Sequence, residues 1–71
     1  MLKNIQVHIK NRSTNKHIDT ITFKALNITK FLYDILHSSK YNYIFHNCIK
    51  TNNRTLENNK YIFKFKIKEH K

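Results

Sequence analysis

Residues 43–56 read Tyr-Ile-Phe-His-Asn-Cys-Ile-Lys-Thr-Asn-Asn-Arg-Thr-Leu. Side chains alternate across a strand, so Tyr43 and Phe45 share one face and Ile44 and His46 the other. Asn47 follows as a turn residue, because asparagine tolerates the left-handed backbone region better than most. Cys48-Ile49-Lys50 is then free to pair back onto the Tyr43–His46 strand. Thr51-Asn52-Asn53 interrupts the pattern, and Arg54-Thr55-Leu56 returns one apolar side chain, Leu56, to the interior.

On either side of this stretch the periodicities are plain. Ile5, Val7 and Ile9 alternate with Gln6, His8 and Lys10, which predicts a half-buried strand. The polar run Asn11–Lys16 leads into a second strand with Ile21 and Phe23 facing inward, and the two form a β-hairpin. Ile18 breaks the parity, so the second strand either starts at Asp19 or carries a bulge. Asn27 is suited to cap a helix. From it Ile28, Phe31, Leu32, Ile35 and Leu36 recur at helical spacing as one apolar stripe. His37 and Lys40 place positive charge near the helix C-terminus. Ser38-Ser39 ends the helix without a glycine. After the polar connection Glu57–Lys60, Tyr61, Phe63, Phe65 and Ile67 alternate with Ile62, Lys64, Lys66 and Lys68. Glu69-His70-Lys71 is expected to fray. Parity sends Tyr43, Tyr61 and Phe63 toward the helix and leaves Tyr33 and Tyr41 as candidate surface aromatics.

The order hairpin, helix, strand, short strand, loop and long strand predicts an α+β domain with one helix packed on one face of a sheet. The Ile44-Phe45 pair and the Arg54-Thr55-Leu56 run stand at the mutual spacing they have in ubiquitin, and the chain from the Ile5 strand to about Ile67 resembles the ubiquitin-like family. That resemblance implies a β-grasp fold: ββαββ, a mixed sheet, and the last strand central and parallel to the first. It also implies a docking patch centred on an outward Ile44, flanked by His46, Lys66 and Lys68 and by Lys64 on the same strand. The family is conjugated through a C-terminal Gly-Gly. This chain has no glycine, so the resemblance implies a docking module and not a conjugated modifier.

Seventy-one residues accommodate a single domain, here residues 1–71, with a modest core. One cysteine excludes an internal disulfide and matches a reducing, intracellular compartment, cytoplasmic or nuclear. No apolar run is long enough to span a bilayer. Glycine and proline are both absent, so the turns fall to Asn, Asp, Ser, Thr and Lys.

The formal net charge of +10 points to nucleic acid, anionic lipid or an acidic protein. The same bias toward Lys, Asn, Ile, Tyr and Phe is what an AT-rich coding sequence produces. The lysines are spread along the chain and form no basic arm. His46 and Cys48 lack the further ligands that zinc needs. They also lack an orienting group for nucleophilic chemistry, so neither an enzyme nor a cofactor is expected. Three Asn-x-Ser/Thr triplets, at Asn11, Asn27 and Asn53, are expected by chance in so asparagine-rich a chain. The leading expectation is a non-enzymatic protein–protein interaction module that meets an acidic or mixed surface, with no small-molecule substrate. The alternatives are a small basic nucleic-acid-binding protein using the same lysine face, and a small viral inhibitor of a host enzyme.

Overall fold

A computed structural model describes residues 2–68; Met1 and the Glu69-His70-Lys71 terminus lie outside them. The elements are β1 (Lys3–Asn11), β2 (His17–Ala25), α1 (Ile28–His37), a short 3₁₀ turn (Ser39–Tyr41), β3 (Ile49–Asn52), β4 (Thr55–Glu57) and β5 (Tyr61–Lys68). One five-stranded sheet runs in the order β2-β1-β5-β4-β3, and each neighbouring pair is antiparallel. The hairpin, the helix and the central place of β5 follow the sequence reading. The mixed-sheet β-grasp topology does not: β5 pairs with β1 antiparallel, in the register Ile5↔Ile67, Val7↔Phe65 and Ile9↔Phe63.

The second departure from the sequence reading lies between Tyr41 and Cys48. Tyr43–His46 instead belongs to a run of turns. The Tyr41 carbonyl accepts from the amides of Ile44 (3.1 Å) and Phe45 (2.9 Å). This coiled backbone puts Tyr41, Ile44 and Phe45 on one side, as i, i+3 and i+4 positions do. Phe45 is buried, Tyr41 and Ile44 pack partly against the core, and Tyr43 points outward, 76% exposed. Cys48 and Lys50 therefore do not pair back onto 43–46. Ile49–Asn52 pairs with β4 instead, and β3, β4 and β5 form a meander.

Asparagine makes the turns. The Asn11 side-chain oxygen accepts from the Ser13 and Thr14 amides at 2.8 and 3.0 Å. Asn52 accepts from Arg54 at 2.9 Å, and Asn58 accepts from both Lys60 and Tyr61 at 2.8 Å. Among the described residues, those with positive φ are Asn15 (61°) and Asn47 (53°), where asparagine carries the smallest steric penalty after glycine. Asn27 caps α1 by accepting from the Lys30 amide at 2.7 Å. In β2 the extra residue is Ile18, because Ile9 pairs with Asp19 and Lys10 with His17.

The core lies between α1 and one face of the sheet. Ile5, Val7 and Ile9 of β1, Leu56 of β4, and Phe63 and Phe65 of β5 meet Ile28, Phe31, Leu32 and Ile35 of the helix, with Phe45 closing one end. Leu36, the last residue of the helical stripe, is 39% exposed, one residue before the helix ends at His37. Phe31 is the hub. Its ring lies 5.2 Å from Phe23, 5.3 Å from Tyr41 and 5.8 Å from Phe65, centroid to centroid.

Phe31→Ala removes a buried aromatic and is expected to cost about 3–5 kcal/mol. That is comparable to the whole stability of a small domain, and loss of the folded circular dichroism spectrum at room temperature is the readout. Asn27→Ala removes only the cap and should cost about 1 kcal/mol, seen as a lowered urea midpoint with an unchanged slope.

Candidate functional site

A single helix covers one face of the sheet and leaves the other to solvent. Directly paired residues of antiparallel strands project to the same side, so the register lays out the open face row by row. Lys24, Asn4 and Lys68 form one row; Thr22, Gln6 and Lys66 the next; Thr20, His8, Lys64 and Thr55 the third. A fourth row runs His17, Lys10, Ile62, Glu57 and Ile49. The first three rows are wholly polar. Lys24, Lys64, Lys66 and Lys68 are exposed, and alternate lysines on β5 recur about every 6–7 Å along the strand.

Among the described residues no carboxylate stands in the first three rows of this face. Among the described residues the two ion pairs are Arg12–Glu57 at 3.9 Å and Lys30–Asp34 at 3.4 Å. The first lies at the fourth row and the second on the helix. Asp19 accepts from the Thr20 amide at 2.8 Å. A small hydrogen-bonded group marks the β1–β2 side of the face: Thr20 Oγ1 lies 3.3 Å from His8 Nδ1 and 2.8 Å from His17 Nε2.

The sequence-predicted docking residues divide into two groups. Lys64, Lys66 and Lys68 stand together on the open face, each projecting from the central strand. Ile44 and His46 are elsewhere, in the turns after the helix, where they line a shallow cleft with Tyr43, Asn58, Lys60 and Tyr61. Ile44 is therefore not an outward strand residue at the centre of a sheet patch; it packs partly against the core. Tyr61 and Phe63 point inward as read, whereas Tyr43 is exposed and Tyr41 packs edge-on against Phe23 and Phe31. The sequence reading missed Lys24, Asn4, Gln6 and His8 as partners of the β5 lysines. Their alternation on β1 and β2 was visible, but only the pairing register brings them beside β5.

His46 and Cys48 do not form a reactive pair. The Cys48 thiol approaches the His46 main-chain oxygen at 3.9 Å, while the imidazole Nε2 lies 3.2 Å from the Asn47 side-chain amide. Burial raises the Cys48 pKa from 9.0 to about 11, and a hydrogen bond from Asn58 only partly offsets the effect. Among the described residues no group of three or more His, Cys, Asp or Glu side chains is placed to hold a metal ion, and no helix is long and apolar enough to cross a membrane. No protein-family model matches the chain, and no curated protein or solved structure matches it significantly.

The Cys48 thiol should react slowly with iodoacetamide at pH 8 and speed up only as the pH climbs toward about 11, because the thiolate is the nucleophile. The same shift sets a sign for stability. The folded chain holds this proton more tightly than the unfolded one, so the thiol's contribution is complete below pH 9.0 and is lost as the pH rises through about 11. Urea midpoints for the wild type and Cys48→Ser measured from pH 8 upward should converge over that window.

Proposed function

We propose that the chain is a non-enzymatic nucleic-acid-binding module that takes the phosphate backbone on its open sheet face. The observation that carries this reading is the placement of Lys64, Lys66 and Lys68 on the central strand, with Lys24, Asn4, Gln6, His8 and Thr22 beside them and no carboxylate in those rows. Lysines and neutral hydrogen-bond donors are the groups that contact phosphate and sugar oxygens, and such contacts position a nucleic acid without reading its sequence. Stacking on unpaired bases would need aromatic rings, and these three rows hold none apart from the imidazole of His8. The reading is therefore of backbone binding indifferent to sequence.

An acidic protein partner would meet the same lysines, and the face suits it less well. Protein interfaces draw most of their energy from buried aromatic or apolar anchors. The anchor that such docking needs, Ile44, is in the turn region and half covered by the core, and the central rows offer no replacement. A raised thiol pKa at Cys48 and a polar, shallow surface favour binding over chemistry. A single free thiol accords with an intracellular setting.

Each phosphate contact releases counterions, so log affinity should fall with log salt by about 0.7 to 0.9 per contact. Binding to random single-stranded and duplex DNA should be micromolar or weaker at physiological salt and tighten steeply at about 50 mM. Changing Lys64, Lys66 and Lys68 together to Ser should flatten the slope by roughly two to three units and weaken all sequences alike. Ile44→Ala should leave the slope unchanged. Binding that ignores both salt and the three lysines, or fails at low salt, would overturn the reading.

A further inference from the structure

We infer that the free edge of β2 is a self-association site, at which a second copy of the chain adds its own β2 antiparallel, centred on Thr22, to make one continuous sheet.

The backbone geometry identifies which groups are on offer. The Asn11 amide donates to Lys16 and the Arg12 amide to Lys60, both at 2.9 Å. Odd positions of β1 thus face β2 and even positions face β5, because successive residues of a strand direct their N–H and C=O groups to opposite sides. Ile5, Val7 and Ile9 therefore exchange hydrogen bonds with Phe23, Ile21 and Asp19. The intervening residues, Thr20, Thr22 and Lys24, turn their N–H and C=O groups away from β1, along an edge that no described strand covers. The Thr20 amide is engaged locally by Asp19, which leaves Thr22 and Lys24 as the amides available to a new strand.

The two sheet edges are not alike. β3 is a four-residue strand with an irregular register between Lys50 and Asn52, and shortness, irregularity and an edge lysine are the usual protections against pairing. β2 has nine residues, no proline, and an uncharged, β-favouring run Thr20-Ile21-Thr22-Phe23 at its centre.

The side chains specify the occupant. With Thr22 opposite Thr22 of the second copy, residues whose numbers sum to the same value pair. Ile21 then meets Phe23 on the helix side, where both are only partly buried. Ile18 meets Leu26; these are 51% and 52% exposed in the single chain. Every apolar residue of the edge larger than alanine thus finds an apolar partner, and Lys24 meets Thr20, not another lysine. The arrangement is isologous and closes at two copies. It also avoids the protected β3 edge, so it does not propagate.

Charge opposes this association, since each copy carries +10. Salt screens that repulsion, so association should strengthen as salt rises. The sign is opposite to that for nucleic acid, and the inference stands or falls independently of the proposed function. Sedimentation equilibrium of the full chain from low to high salt is the test, with hydrogen exchange on the same samples. The expected result is a monomer–dimer equilibrium shifted toward dimer by salt, with added protection of the Thr22 and Lys24 amides. Thr22→Pro removes an outward amide that β1 does not use, as proline does on edge strands, and should weaken the dimer at least about tenfold. Leu26→Lys lies just beyond the strand and should act in the same direction even if the proline variant does not fold. A chain that stays monomeric at millimolar concentration in high salt would overturn the inference. So would a dimer indifferent to Leu26→Lys, open-ended polymers, or an edge that is protected only when an unrelated extended peptide is added.

Discussion

Ten helical residues have to shield one face of a five-stranded sheet, and aromatic packing around Phe31 makes this possible. A helix this short presents only a narrow apolar stripe, and aliphatic side chains alone would leave the far strands uncovered. Phe31 reaches Phe23 on one edge and Phe65 on the central strand. Phe45 comes in from the connection after the helix, 4.9 Å from Phe63 and 5.7 Å from Phe65. The turns at 42–47 deliver that ring to the core.

The same commitment of apolar side chains to one face leaves the other face polar, as antiparallel sheets allow. On β5 the two properties are a single alternation. Phe63 and Phe65 supply the core, and Lys64, Lys66 and Lys68 therefore project from the opposite side. Because β5 is central, these lysines stand in the middle of the open face and not at its margin. The cross-strand rows then surround them with amide, hydroxyl and imidazole groups from β1 and β2. A surface of that composition interacts through charge and hydrogen bonding, and has little to offer an apolar partner. Exposed apolar side chains stand at the margins of the sheet, Ile18 and Leu26 at the β2 edge and Ile49 on β3.

Much of the local structure was legible. The Asn27 cap, the Phe31–Ile35 stripe, the irregularity at Ile18, the Asn47 turn and the burial of Leu56 each follow from a residue's own chemistry or from a period repeated over several residues. Tyr41–His46 was not. Tyr43 and Phe45 satisfy a two-residue alternation, while Tyr41, Ile44 and Phe45 satisfy a helical one. A short apolar run fits both. The resemblance to ubiquitin-like chains favoured the strand, and the antiparallel β1–β5 pairing removes it. The candidate site was legible to the same depth: the lysines of β5 could be read as outward, but their neighbours could not.

The sequence by itself determined which side chain of each strand faces the core and which faces water, because alternation is a property of a single strand. It also determined most of the turns, since without glycine or proline the asparagines mark them; the turns over Tyr43–His46 are the exception. Strand direction, register and the neighbours of the lysines were decided only in the tertiary structure. They depend on which strand edges meet, which no single strand's alternation specifies, and whether 43–46 was strand or turn depended on how the Phe45 ring reached the core. The physical reason is that Phe31, Phe63 and Phe65, brought together from distant parts of the chain, form the environment in which Phe45 is buried.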